Sequence, residues 1–233
     1  MKKLAFVLIG LIAVTVVNAQ SLEEIVKKHA SAMKSDKLAS ISTIKVTGKM
    51  STMGMEMSMV ILSKNPNKVK STISFNGQDI ISVYDGEKGY MINPMTGSSN
   101  PVELTGEQLQ QVQENNSFNN SVVGYFKKGQ LTLEGEENVN DKPAYKLKTD
   151  LQGTPVFLFI DKDSYMLVKT STTMDQMGSK MGIDSYMTDY VDNNGVIMPK
   201  KTTTMANGME ASVMTLDNIE VNVPIDDSVF TVK

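Results

Sequence analysis

The sequence predicts a mainly β protein with a few helices: one large antiparallel sheet, curled into an unclosed barrel and covered on its concave face by helices. Three observations carry this. From Ile41 onward apolar and polar residues alternate with a period of two. Tight-turn signals join nearly every consecutive pair of these segments, which favours antiparallel neighbours. Two helical stretches, one before the strands and one among them, carry apolar stripes that need a surface to cover. About eleven or twelve strands fit the pattern, and a twisted sheet of that size tends to curl.

The chain begins with Lys2 and Lys3, an apolar run from Leu4 to Val17, and the small-residue site Val17-Asn18-Ala19. This is the pattern of an export signal cleaved after Ala19, so residues 1–19 are read as a leader and 20–233 as a single exported, soluble, periplasmic domain. No later segment approaches the ~20 apolar residues needed to span a bilayer. The 233 residues contain no Cys, which excludes disulfides, thiol chemistry and a lipid-attachment cysteine. Lys2 and Lys3 belong to the 23 basic residues set against 26 acidic ones, so the mature chain is more acidic than the net −3 of the whole. It has no electrostatic reason to bind nucleic acid or an anionic surface. Every basic residue is Lys, so no guanidinium fork is available to grip a phosphate or carboxylate.

Ser21-Leu-Glu-Glu24 is a capping box, and Leu22, Ile25, Val26, Ala30 and Met33 continue a helical stripe to about Leu38. Ile44, Val46 and Met50 then alternate with Lys45, Thr47 and Lys49. Met53-x-Met55-x-Met57-x-Met59-x-Ile61 follows, read as one extended strand with all five side chains on one face. After Asn65-Pro66-Asn67, the residues Val69, Ile73 and Phe75 alternate with Lys68, Lys70, Thr72 and Ser74, and Asn76-Gly77 makes a hairpin. Ile80 to Tyr84, an Asp85-Gly86 turn and Lys88 to Asn93 continue the meander. Between Leu104 and Lys128 the period returns to helical: a capping box at Thr105–Gln108 precedes Leu109 and Val112, the linker Asn115–Ser117 follows, and Phe118, Val122, Tyr125 and Phe126 form a second stripe. Strands resume near Gln130, with turns at Asn140-Asp141, Gln152-Gly153, Asp161–Asp163, Asp192–Gly195 and Asn207-Gly208, and a closing strand at Val229–Val232.

With Lys45, Lys49, Lys68 and Lys70 facing water, the other face of these strands lines an apolar hollow. Its predicted walls are Val46, Met53, Met55, Met57, Met59, Ile61, Val69, Ile73 and Phe75, and its predicted lid is Leu109, Val112, Phe118, Val122, Tyr125 and Phe126. Thioethers are unbranched and polarizable, which suits a wall that adapts to ligands of variable shape. The chain holds 18 Met and no Trp, so this bias is general.

No enzyme, metal site or cofactor is expected. His29 is the single imidazole and sits on the first helix, and no Gly-x-Ser-x-Gly elbow or Gly-rich phosphate loop occurs. Asp161-Lys-Asp163 lacks the glycine and distal glutamate of a calcium loop. Glu136-Glu137 and Asp226-Asp227 are adjacent, which on a strand points their carboxylates to opposite faces. The alternative is Cu(I) binding by thioethers of the Met strand and of Met174-x-x-Met177-x-x-x-Met181. Same-face residues on one strand lie ~6.6 Å apart, so a third sulfur would need a neighbouring strand.

Several segments in order, Val83-Tyr-Asp-Gly-Glu-Lys-Gly-Tyr90 with Asn93-Pro94, Leu133-Glu-Gly-Glu-Glu137, Lys142-Pro-Ala-Tyr-Lys146, Phe159-Ile-Asp161, Asp189-Tyr190 with Gly195 to Pro199, and Ile225 to Phe230, together with the leader and the helical insertion, resemble the periplasmic outer-membrane lipoprotein carrier and lipoprotein-sorting family (LolA/LolB-like). The likeness runs over essentially the whole mature chain. It implies an unclosed barrel that binds acyl chains of lipoproteins or similar lipids and delivers them towards the outer membrane, as a monomer meeting an inner-membrane donor and an outer-membrane acceptor. It also implies an arginine that latches the lid; this chain has no Arg, so its lid must close on apolar contacts and neutral hydrogen bonds. A lipid sensor or scaffold of the same fold is the other reading of the resemblance.

Overall fold

The computed structural model describes residues 20–232 apart from 115, 119–120, 152 and 177–178; the predicted leader, Asn115 of the linker and Met177 lie outside the described residues. The first helix, α1 (Leu22–Ala32), starts at the capping box: Ser21 Oγ accepts from the Glu24 amide at 3.3 Å, and the Ser21 amide donates to Glu24 Oε2 at 3.1 Å. It stops short of Leu38. Lys34 turns left-handed at φ 50°, the Ser35 amide bonds back to the Ala30 carbonyl, and a 3₁₀ turn over Lys37–Ser40 carries the chain into the sheet.

Six strands follow: β1 (Thr43–Thr52), β2 (Met55–Lys64), β3 (Lys68–Phe75), β4 (Gln78–Tyr84), β5 (Gly89–Asn93) and β6 (Ser98–Leu104). Two helices, α2 (Gly106–Glu114) and α3 (Ser121–Lys127), interrupt the strands. Seven more complete the sheet: β7 (Thr132–Val139), β8 (Lys142–Leu151), β9 (Thr154–Asp161), β10 (Leu167–Gln176), β11 (Ser179–Asn193), β12 (Val196–Ala206) and β13 (Met209–Val221). All 13 strands form one sheet in the order β6-β5-β4-β3-β2-β1-β13-β12-β11-β10-β9-β8-β7, and every pairing is antiparallel.

Among the described residues only the β1–β13 pairing joins strands distant in sequence. It welds two meanders into one surface whose free edges, β6 and β7, are the strands that flank the helical insertion. The sheet is therefore open where α2 and α3 cross. This is the predicted fold class, with two local corrections. β6 lacks a period-two signal and contains Pro101, which an edge strand tolerates because one side of its backbone needs no partner. The segment read as a closing strand is instead a 3₁₀ turn over Asp227–Phe230, because the Asp226 side chain caps the Ser228 amide at 2.8 Å. Lys64 and Lys68 anchor that turn through Asp227 at 2.7 and 3.1 Å.

The concave face holds three apolar clusters. Ile25 and Val26 of α1 and Val122 of α3 pack on Tyr145, Leu147, Leu158 and Ile160 of β8 and β9. Leu109 and Val112 of α2 pack on Val69, Tyr84, Met91 and Leu104. Between these two, Ile41, Ile44, Val46, Met59, Val196, Leu216 and Ile219 form the middle of the floor. On the convex face Phe157 and Phe159 lie beneath the Lys146 ammonium, at 4.8 and 5.6 Å from their ring centres.

Candidate functional site

A cavity of about 460 Å³ lies over the middle of the floor, within the ~300–1,000 Å³ of small-molecule sites. Its base comes from Val46 and Met50 of β1, Met59 and Ile61 of β2, Ser71 and Ile73 of β3, and Met214 and Leu216 of β13. Met187 and Tyr190 of β11 and Val196, Ile197, Met198 and Pro199 of β12 continue the wall. The roof is His29 and Met33, then Leu38, Asn116, Ser117 and Val122, with Leu167 at one side.

Register explains the composition. Val46 faces Ile61, Gly48 faces Met59 and Met50 faces Met57 across β1 and β2; Met50 faces Met214 and Gly48 faces Leu216 across β1 and β13. Directly opposed residues share a face, so the apolar halves of three strands meet on one side. Gly48 keeps the floor thin: a Cβ there would sit 2.4 Å from the Thr215 carbonyl oxygen, so only glycine permits the local approach of β1 and β13, where the register also shifts.

The lining holds no Lys, Asp or Glu. Three of its polar side chains, His29, Tyr190 and Asn116, bond to backbone carbonyls. His29 Nδ1 donates to the Tyr165 carbonyl at 2.8 Å, which fixes a proton on that nitrogen. The Tyr190 hydroxyl donates to the Leu167 carbonyl at 2.6 Å, and burial pushes its pKa above the usual tyrosine range, so it stays neutral. The Asn116 amide donates to the Lys68 carbonyl at 3.4 Å, and the Ser117 amide to Ser63 Oγ at 3.0 Å. The roof is thus tied to β2 and β3 by neutral hydrogen bonds and apolar contact, and such contacts are insensitive to salt. Beside these polar groups and Ser71, the lining is mostly aliphatic carbon and six thioethers, an apolar surface of soft, unbranched side chains.

Of the predicted wall, Val46, Met59, Ile61 and Ile73 line this cavity. Met53 does not, since it occupies the β1–β2 turn with φ 49° beside Gly54 at φ 75° and is 92% exposed. Positive φ at both central residues is the hairpin geometry that matches strand twist, so the methionine run is a turn plus a strand rather than one strand. Met55 and Met57 keep the inner face but lie beyond the roof, Met55 being exposed. Val69 is buried beneath α2, in a separate cluster. Phe75 shares the inner face but ends β3 outside the cavity.

The lid divides likewise. Val122 lines the cavity and Phe118 packs on the middle cluster, whereas Leu109 and Val112 cover β3 to β6, and Tyr125 and Phe126 pack towards β7 to β10. Leu109 presses onto Gly89, where a Cβ would lie 2.5 Å from its Cδ1. Sequence reasoning missed Met33, Met187, Met198, Met214 and Leu216 as cavity residues. Val213-Met214-Thr215-Leu216 places Met214 and Leu216 on one face, but its place beside β1 depends on the one long-range strand pairing among the described residues. Met174 faces Met181 across β10 and β11. Among the described residues no three or more His, Cys, Asp or Glu side chains gather to hold a metal, and no helix is long and apolar enough to cross a membrane.

No protein-family model and no curated protein matches the chain. Solved structures do. An outer membrane lipoprotein-sorting protein domain from Vibrio parahaemolyticus superposes with a TM-score of 0.62 at 10% identity, over 90% of this chain and 97% of that one. A DUF1329 family protein from Desulfovibrio piger gives 0.60 at 16% identity, over 89% and 97%. A LolA superfamily protein from Nitrosomonas europaea gives 0.59 at 15% identity, over 91% and 98%. The chain therefore has the unclosed-barrel fold of LolA-like proteins along nearly its whole described length.

Proposed function

We propose that the chain is a periplasmic carrier, exported by cleavage after Ala19, that binds acyl chains of lipoproteins or similar lipids in the cavity and delivers them towards the outer membrane. The observation that carries this reading is the charge-free, thioether-rich hollow under a roof whose Asn116–Ser117 segment is held by neutral contacts. Burying hydrocarbon there gains ~0.8 kcal/mol per CH₂, and flexible Met side chains accommodate chains of different shape. The sorting-protein domain and the LolA superfamily protein that share the fold agree with it. Donor and acceptor proteins at the two membranes are the partners this role requires.

Native mass spectrometry of protein purified from its own periplasm tests the proposal. A co-purified acylated species is the expected result. Protein that arrives as a copper adduct, with no lipid-sized mass, would overturn it.

A further inference from the structure

The exposed methionines are not scattered. In the antiparallel meander successive turns alternate between two ends of the sheet, and the register places the β1–β2, β3–β4, β5–β6 and β12–β13 turns at the same end. Met53 sits in the first of these turns and Met95 in the third, Met209 follows the fourth, and Met55 and Met174 stand one or two residues inside the same end. All five are exposed, Met209 to 73%. The described turn residues at this end, Met53-Gly54, Asn76-Gly77, Pro94 to Gly97, Gly153 and Asn207-Gly208, carry no charge, while Glu56, Asp79, Asp150, Asp175, Lys180 and Glu210 each stand one residue inside it. The opposite end is built from charged turns: Asp85 to Lys88, Asp141-Lys142, Asp161 to Asp163, and Asp192 paired with Lys34.

This apolar rim is continuous with the cavity. From the β1–β2 turn along the inner face of β2, exposure falls from 92% at Met53 and 42% at Met55, through half-buried Met57, to 4% at Met59 in the cavity wall. Met209 and Met214 run parallel to this track on β13, next to β1. Thioethers therefore mark the way from the solvent-facing β1–β2 turn to the hollow.

Resting on the carrier reading above, we propose that the methionine-tipped rim docks on the surface of a zwitterionic lipid bilayer, so that an acyl chain passes from bilayer to cavity along the Met53–Met59 track without crossing water. Three features select a lipid surface. The tips stand on separate hairpins, so they form several points rather than one flat patch, and fluid hydrocarbon fills the spaces between points where a protein partner would need a matched relief. The turn tips carry no charge, so a shallow contact in which only the tips enter the interface desolvates none, and the charged residues one position inside stay in water. The chain is acidic and the rim has no basic cluster, so attraction to anionic headgroups is not its basis.

The experiment is co-sedimentation of the wild-type protein with phosphatidylcholine vesicles, beside binding of a fluorescent fatty acid in vesicle-free solution. Met95 and Met209 are exposed and lie off the Met53–Met59 track, so Met95→Ser with Met209→Ser should keep solution binding of the fatty acid unchanged. Vesicle partitioning should fall about tenfold or more. Lys142→Gln, in a turn at the opposite end, should change neither. Wild-type protein that ignores the vesicles, or a double variant that partitions like wild type, would overturn the rim. Partitioning that survives while fatty-acid binding is absent would support the rim and overturn the carrier reading instead.

Discussion

Two of the sheet's covered regions differ in kind. Under α1 and α3, the faces of β8 and β9 are filled by Ile25, Leu147 and Ile160, each with no solvent exposure, and by Tyr145 and Leu158. A few strands away the roof stands over Met50, Met59, Met187, Met198 and Met214, and a cavity remains. Branched aliphatic side chains with few rotamers set a fixed shape and close on a helix. Unbranched thioethers set none. One region holds the fold, and the other gives a ligand somewhere to go.

The sharpest way to break that comparison is a cavity in the packed region. Leu147→Ala should cost about 2–5 kcal/mol of stability, read by urea or thermal unfolding, while the remaining folded protein keeps its affinity for a fatty acid. A loss of binding without a loss of stability would mean that the two regions are one unit.

Next in size is a charge in the hollow. Met59→Glu should weaken fatty-acid binding by more than tenfold, because an unpaired carboxylate is costly to bury. Glu56→Gln removes only an exposed ion pair with Lys49 at 2.9 Å on the outer face, so fluorescence titration should show no change. Equal effects of the two would invert the assignment of faces.

Alkaline titration sharpens the packed side. Burial, with the neighbouring Tyr165, pushes the Tyr145 hydroxyl up to about 12, and that hydroxyl donates to Gln20 Oε1 at 2.5 Å. A folded pKa above the unfolded value of ~10 gives a contribution fully present below pH ~10 and lost as pH rises through about 12. Thermal melts should therefore fall over that window, and Tyr145→Phe should flatten the fall. An unchanged slope would show that the hydroxyl is solvated.

The smallest effect is expected at the roof. Hydrogen exchange in residues 104–128 should slow when an acyl ligand binds and should hardly change between low and high salt, since the roof is tied by Asn116, Ser117 and apolar contacts. Opening only at high salt would reveal a charged latch.

Local chemistry made much of the fold readable. The Ser21 box, the Asn76-Gly77 hairpin and the Asn140-Asp141 turn depend on residues next to each other in the chain, and their positive-φ or capping geometry is present. The site was readable only where alternation was unbroken, as at Met59, Ile61 and Ile73. Met53 misled because a strict period of two runs through a turn whose second residue is Gly54, and periodicity carries no mark of direction. Met187, Met198 and Met214 were hidden for a different reason. They join Met50 and Met59 in one wall only once β13 pairs with β1, some 160 residues away in sequence.

The most direct test of the central claim is a chain-length series of saturated fatty acids binding to the purified protein. Affinity should rise by about fourfold per added CH₂ and then level off when the ~460 Å³ hollow is full, with Met59→Glu abolishing the rise. Affinity that is the same for short and long chains, or binding that never saturates with length, would contradict an acyl cavity at this site.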